Sequence, residues 1–153
     1  MYWTKAVPGS IDRAGMDSSS PVTLVTRWGS PHAITIDFPS RRLYWTEPSV
    51  PRIQSSDLYG GDLQLAVQLP DESFPYGITI FNDRIYWASA GDDKLQSSTK
   101  DGQDIQTLHT ASNISHVTAV PAEDRPTTRL NDCAGRNCTT LCVLTPTSYR
   151  CLA

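Results

Sequence analysis

The sequence predicts an all-β protein of the propeller class, on the strength of three observations. A Tyr-Trp pair occurs three times, and its tyrosines, Tyr2, Tyr44 and Tyr86, are evenly spaced. Solenoids, propellers and other repeat arrays repeat every ~20 to ~50 residues, and this period of about 42 residues falls within that range. Between the pairs lie short runs of β-branched and aromatic residues, divided by Gly, Pro, Asp and Ser. Such runs indicate short antiparallel strands joined by turns.

The repeat near residues 31–68 shows the unit most completely, with four runs of roughly equal length. It therefore predicts a four-stranded antiparallel meander. A second full copy lies near 75–110, and a copy near 1–26 lacks its opening strand. A last copy is represented by one expected strand at 116–120.

The adjacent Tyr and Trp side chains indicate how the sheets are arranged. Neighbouring residues in a strand point to opposite faces, so a sheet with one face in water would expose one ring of each pair. Blades stacked around an axis cover both faces. Each buried ring then contributes on the order of 1.5 to 3 kcal/mol. A β-sandwich does not require the same pair at a fixed interval, and a WD-type propeller carries a different signature.

The pair is followed by Thr in two copies and preceded by Ile-Thr-Ile-Asp at 34–37, which resembles the YWTD repeat of the low-density-lipoprotein-receptor family. The resemblance implies about half of a six-bladed propeller, over residues 1–126. It also implies a structural role for the motif residues Tyr2, Trp3, Thr4, Tyr44, Trp45, Thr46, Tyr86 and Trp87. The fourth motif position carries Lys5, Glu47 and Ser89. None of these is the Asp that ties neighbouring blades in that family, so the same tie is not expected in any of the three copies.

All four cysteines lie near the C-terminal end of the chain, at Cys133, Cys138, Cys142 and Cys151. Their gaps do not form the paired Cys-x2-Cys knuckles of zinc sites, which favours disulfides and an oxidising compartment. Four cysteines allow three pairings. The segment 127–153 resembles the start of the EGF-like module that follows the propeller in the same family. That resemblance implies the bridges Cys133–Cys142 and Cys138–Cys151, and no calcium or other metal is expected.

Charge and hydropathy exclude two classes of partner for the chain as given. A net charge of −3 with scattered Lys and Arg provides no basic field for nucleic acid. No apolar run approaches the roughly 18 residues needed to span a membrane, and no export signal is evident. About three blades cannot close a ring, so we expect a fragment of a larger secreted or membrane-anchored protein. No cofactor is expected.

Catalysis is not expected from the sequence. The three histidines, His32, His109 and His116, lie at or near predicted strand ends, and no hydrolase or phosphate-binding motif occurs. A propeller hydrolase remains an alternative, because such enzymes gather acids or histidines at the central axis of the whole ring. A second hypothesis for the histidines is ligand release in acid, since His titrates there.

Ligand binding is the favoured function, and the loops suggest where. In a propeller the loops that enter each blade and those between its second and third strands share one face. These loops combine aromatic and charged residues, as protein-binding surfaces do. The candidate binding residues are Arg27, Trp28, His32, Glu47, Arg52, Asp71, Glu72, Phe74, Tyr76 and Asp92. The alternative is that Trp28 and Phe74 only cover the core.

The family resemblance implies an extracellular receptor segment, at the cell surface, that binds a protein ligand without chemistry. A secreted matrix linker of the nidogen type is the alternative within binding proteins. Asn113-Ile114-Ser115 forms a glycosylation sequon, which fits secretion.

Overall fold

The computed structural model describes residues 1–26 and 29–120, together with the backbone of two strands at 141–144 and 149–152. Every regular element within these residues is a β-strand. The strands are β1 Tyr2–Lys5, β2 Ser10–Arg13, β3 Val22–Thr26, β4 Ile34–Asp37, β5 Arg42–Glu47, β6 Arg52–Asp57, β7 Gln64–Gln68, β8 Pro75–Phe81, β9 Arg84–Ser89, β10 Lys94–Thr99, β11 Gln106–Thr110, β12 Leu141–Leu144 and β13 Tyr149–Leu152.

The first eleven strands form three antiparallel sheets, which confirms the all-β, blade-like architecture. Blade 1 has the order β1-β2-β3, blade 2 β4-β5-β6-β7, and blade 3 β8-β9-β10-β11. A bulge recurs between the third and fourth strand positions of the repeat, beginning at Ile11, Ile53 and Leu95. These residues are spaced like the tyrosines of the motif, so the period extends to backbone irregularities that increase strand twist.

The Tyr-Trp pair of blade 2 is buried on both faces, as the sequence predicts. Trp45 packs with Ile11 and Val25 of blade 1. Tyr44 points the other way and packs with Ile78 and other residues of blade 3. Trp45 is 0% exposed and Tyr44 3%. Alternation along one strand therefore supplies apolar area to two interfaces at once.

Blade 3 repeats this arrangement. Trp87 is fully buried against blade 2, in the same cluster as Ile53 and Val67. Tyr86 faces the opposite side, where Ile114 and Val117 cover the sheet. The apolar segment after β11 thus packs on the free face of blade 3 within the described residues.

The turn before the last strand of a blade packs tightly on the preceding blade. Gly60 has φ +85°, and a Cβ built on it would lie 2.5 Å from the Leu24 carbonyl oxygen. Gly102, at the corresponding place in blade 3, has φ +77°, and a Cβ there would overlap the Ala66 carbonyl oxygen. Both the left-handed backbone and the close approach require glycine.

The expected strand at 116–120 is not formed. Val117 is buried, and Gly77 in β8 lies against the backbone of Ser115 to Val117. The segment therefore lies where an inner strand would begin. A strand needs hydrogen-bonded neighbours, however, and none of the described residues pairs with this segment.

The C-terminal strands β12 and β13 pair antiparallel, with Cys142 opposite Cys151. The rest of the expected EGF-like module, and the side chains that would form Cys133–Cys142 and Cys138–Cys151, lie outside the described residues.

Candidate ligand-binding face

Two kinds of loop bring the candidate residues to one side of blades 2 and 3. The entering loop of blade 2 runs through 29–33 and that of blade 3 through 69–74, and Tyr76 follows this loop as the second residue of β8. The loops between second and third strands lie at 48–51 and 90–93. Short strands with turn residues at their ends fix these positions, because each loop is anchored at both ends by paired strands.

An aromatic contact joins the entering loop of blade 2 to the start of β8 in blade 3. The rings of His32 and Tyr76 meet edge to face, with centroids 4.6 Å apart and planes at 87°. This geometry is a favoured one for aromatic pairs. His32 is exposed and Tyr76 half-buried, so the pair links neighbouring blades while one ring stays accessible.

Threonines of the repeat motif form hydrogen bonds with the backbone carbonyls of both residues. Thr4 Oγ1 donates to the carbonyl oxygen of His32 at 2.6 Å, and Thr46 Oγ1 donates to that of Tyr76 at 2.9 Å. Each bond runs from one blade to the next. The blades therefore remain tied although the fourth motif position lacks its Asp. The third copy has Ala88 in place of the threonine.

The loop at 90–93 fixes the backbone of the entering loop of blade 3. Ala90 N donates to Phe74 O at 3.2 Å, and Gly91 N donates to Ser73 O at 3.1 Å. A Cβ on Gly91 would overlap the carbonyl oxygen of Glu72, so the two backbones touch. The two loops therefore form one continuous surface.

Glu47 is a correction to the predicted binding set. Its side chain is fully buried and accepts hydrogen bonds from Arg52 Nε at 2.7 Å and Trp45 Nε1 at 3.1 Å. Lying behind Gly29, it braces the loop and presents no surface to a ligand. Burial of a charge requires such partners. Arg52, 21% exposed at the side chain, belongs to the same brace.

The other predicted residues divide by exposure. Asp71, Glu72 and Phe74 are exposed, with Phe74 at 45% and φ +44°. Asp92 is largely buried and pairs with Lys94 at 3.0 Å. Arg27 and Trp28 lie outside the described residues. The residues that share an accessible surface, hereafter the binding face, are His32, Asp71, Glu72, Phe74 and Tyr76.

The binding face has a mixed aromatic and acidic composition. It combines two aromatic rings, an imidazole and two exposed carboxylates, which suit apolar and basic groups of a partner. Within residues 1–26 and 29–120, no three His, Cys, Asp or Glu side chains are grouped to hold a metal ion. No helix in the described part of the chain is long and apolar enough to cross a membrane.

Sequence reasoning missed the residues that support the face. Gly91 and Ala90 position the entering loop through backbone bonds, and only the glycine gave a signal in the sequence. The acceptors of the threonine hydroxyls are backbone carbonyls, which any residue type supplies. Side-chain identity at 32 and 76 therefore could not reveal these bonds.

Comparison with known proteins finds receptors among the sequence relatives. No family model matches the chain. It is 31% identical over 144 residues to low-density lipoprotein receptor-related protein 5 of Mus musculus, across 92% of the chain and 9% of that protein. It is 28% identical over 155 residues to the vitellogenin receptor of Solenopsis invicta, across 94% of the chain and 8% of the receptor. The chain thus spans less than a tenth of these relatives.

Two solved structures share the fold. A chain of the nidogen/laminin complex superposes with a TM-score of 0.67 and 25% identity, covering 78% of this chain and 48% of that one. A streptogramin B lyase superposes with a TM-score of 0.65 and 18% identity, covering 77% and 40%. The second likeness shows the fold alone. The relatives support the predicted resemblance to propellers of the low-density-lipoprotein-receptor family.

Proposed function

We propose that this chain is part of a propeller in the ectodomain of a low-density-lipoprotein-receptor-related protein, where it binds an extracellular protein ligand. The observation that supports this proposal most directly is the contact between His32 and Tyr76, which joins two blades beside the exposed Phe74. Receptors among the sequence relatives support this reading. The remaining blades of a six-bladed ring, and a membrane anchor, would come from the longer protein.

The charge of the binding face narrows the class of ligand that we expect. Asp71 and Glu72 are exposed directly beside Phe74. A ligand that carries an apolar group next to a basic one would complement both features. Opposite charges chiefly raise the association rate and make it sensitive to salt.

A peptide-display selection against the immobilised chain tests the site without a known ligand. We expect the selected peptides to lose affinity at least tenfold for the variants Phe74→Ala and Tyr76→Ala. Phe38→Ala is the matched control, because Phe38 is 77% exposed in the turn between β4 and β5, at the other end of these strands. Equal losses in all three variants, or none, would contradict the assignment.

A charge-removal experiment distinguishes electrostatic steering of the ligand from packing contacts with it. For the same peptides, Asp71→Asn with Glu72→Gln should slow association and flatten its dependence on salt, with little change in dissociation. An unchanged association rate at low salt would show that the carboxylates take no part.

A secreted matrix linker is the second candidate, favoured by the likeness to a chain of the nidogen/laminin complex. A membrane span in the full-length transcript would support the receptor, and its absence the linker. For catalysis, the fold likeness to a lyase, at 18% identity, supplies no residue-level argument. We therefore propose a non-catalytic role.

The proposed EGF-like module and the proposed glycan at Asn113 are further features expected of an extracellular protein. Asn113 is exposed, in a loop after β11, with φ +64°. We expect secreted protein to lose mass on treatment with an N-glycosidase, and Asn113→Gln to remove that shift. The disulfides Cys133–Cys142 and Cys138–Cys151 can be tested by peptide mapping without reduction.

A further inference from the structure

A group of buried polar atoms in blade 3 makes no hydrogen bond within the described residues. The atoms are Trp87 Nε1, Ser89 Oγ, Ser73 Oγ and Gln96 Oε1. Trp87, Ser89 and Ser73 are 0% exposed. Nearly all buried polar groups have a partner, because leaving one unpaired loses the hydrogen bonds it makes with water. Four such atoms in one blade need a partner that the described residues do not supply.

The corresponding place in blade 2 shows what such a partner does. Trp45 stands opposite Gln54 and Glu47 opposite Arg52. In blade 3 the same register sets Trp87 opposite Gln96 and Ser89 opposite Lys94. In blade 2 the Glu47 carboxylate accepts the indole N–H of Trp45. Ser89 replaces that glutamate, so the indole of Trp87 has lost its acceptor.

A second substitution accompanies the first. In blade 2, Gly29 leaves room for the carboxylate, since a Cβ there would lie 2.7 Å from Glu47 Oε2. Blade 3 has Ser73 at the corresponding position, two residues before the proline that begins β8. The pair Gly29 and Glu47 is thus exchanged for Ser73 and Ser89. Two hydroxyl groups replace one carboxylate.

We propose that blade 3 binds a buried water molecule between Trp87, Ser89, Ser73 and Gln96, where blade 2 holds the Glu47 carboxylate. Water can accept from the indole and donate to the glutamine oxygen and a serine hydroxyl, the usual three bonds of an internal water. Asp92 Oδ1 is a further buried acceptor in the same blade without a hydrogen bond. Its other oxygen, Oδ2, pairs with Lys94 at 3.0 Å, so the charges of this pair balance and the free Oδ1 favours a guest that donates a hydrogen bond.

The site lies beneath the entering loop of blade 3. Ser73 belongs to this loop, and its carbonyl oxygen accepts the Gly91 N–H. The loop of blade 2 rests on an ion pair, whereas that of blade 3 rests on the bound water. The two halves of the binding face therefore have supports of different chemistry.

Solution NMR tests the site through the two indoles. The Trp87 indole proton should show a cross-relaxation peak with water of the sign that a long-lived bound molecule gives. The Trp45 indole proton, bonded to Glu47, is the internal control and should show none. Trp87→Phe and Trp45→Phe assign the two signals. No water peak at Trp87, or equal peaks at both indoles, would overturn the proposal.

A double variant gives blade 3 the glycine and glutamate that blade 2 has at these two positions. Ser73→Gly with Ser89→Glu should abolish the water peak at Trp87 and move its indole shift toward that of Trp45. A persisting peak would overturn the proposal. Should this variant fail to fold, the comparison of the two indoles in the unmodified chain still decides. A bromide anomalous peak beside Trp87 in soaked crystals would show an anion site instead.

Discussion

The hydroxyl of Thr46 donates a 2.9 Å hydrogen bond to the carbonyl oxygen of Tyr76, across the boundary between blades 2 and 3. The oxygen of that hydroxyl also accepts the backbone N–H of Ala33 at 3.1 Å. One hydroxyl therefore joins the entering loop of its own blade to the start of β8 in the next blade. The spacing of His32 and Tyr76 on the binding face depends on such bonds.

Thr46→Val should destabilise the chain by about 1–3 kcal/mol, because the nearly isosteric change leaves Ala33 N–H and Tyr76 O without their partner. Urea unfolding followed by tryptophan fluorescence measures this. Thr26→Val, at an exposed position at the end of β3, is the control and should stay within about 0.5 kcal/mol. Equal midpoints for both variants would show that the hydroxyl contributes nothing.

Glu47→Ala should destabilise by about 3–5 kcal/mol, since removing one member of a buried ion pair leaves the other charge uncompensated. Arg52 and the indole of Trp45 both lose their acceptor. The comparison variant is Asp62→Asn, which removes the charge paired with Arg42 from a side chain that is 59% exposed and keeps a residue type that tolerates the φ of +48° there. Exposed pairs contribute about 1 kcal/mol or less. A smaller loss for Glu47→Ala than for Asp62→Asn would contradict the role of the brace.

Stability should fall in acid through Asp37. Burial raises the pKa of this carboxyl, but the hydrogen bonds from Lys100 and Ser40 and the Lys100 charge outweigh burial, so the pKa lies below its ordinary 3.8. The pair with Lys100, at 2.5 Å, joins blade 3 to blade 2. A lowered folded pKa gives stability that is present above the unfolded pKa and is lost as pH falls through the folded one.

The test compares unfolding free energies at pH values on both sides of the ordinary carboxyl pKa. Asp37→Asn should remove part of the acid-induced loss of unfolding free energy. Asp83→Asn should change it little, because Asp83, the second partner of Lys100, is 88% exposed. The same pH slope for Asp37→Asn and the unmodified chain would exclude Asp37 as a source.

Gly60→Ala should destabilise by at least about 1–2 kcal/mol, the cost of a left-handed backbone for an L-residue, with the contact to Leu24 added. Its neighbour provides the control. The close contact of a Cβ on Gly61 would be with the Asp57 side chain alone, and Gly61 has no positive φ. Gly61→Ala should therefore cost less. The reverse order in urea unfolding would contradict the blade packing.

Much of the fold follows from the sequence because its determinants are periodic. The even spacing of the Tyr-Trp pairs predicted the repeat, and the short β-branched and aromatic runs predicted the strands. Tyr44 and Trp45 predicted the burial of both faces of blade 2. The strand expected at 116–120 failed because pairing depends on a neighbouring strand rather than on composition. An apolar residue such as Val117 predicts that its segment is buried, but it does not predict that a neighbouring strand is there to hydrogen-bond with the segment.

The candidate site was harder to predict than the fold. Glu47 belongs to a loop boundary that faces the binding side, yet its carboxylate turns inward because Gly29 leaves space and Arg52 supplies a charge. That outcome depends on contacts between loops distant in sequence. His32 and Tyr76 were both predicted for the face, but their mutual contact is a property of blade packing alone.

Hydrogen exchange of the chain with and without a display-selected peptide is the most direct test of the binding face. We expect slower exchange of amides in the entering loops, 29–33 and 69–74, at the start of β8 around Tyr76, and in the loop at 90–93 that supports the entering loop of blade 3. Protection confined to the turn at 38–41, or to the outer strands β7 and β11, would contradict the assignment of ligand binding to this face.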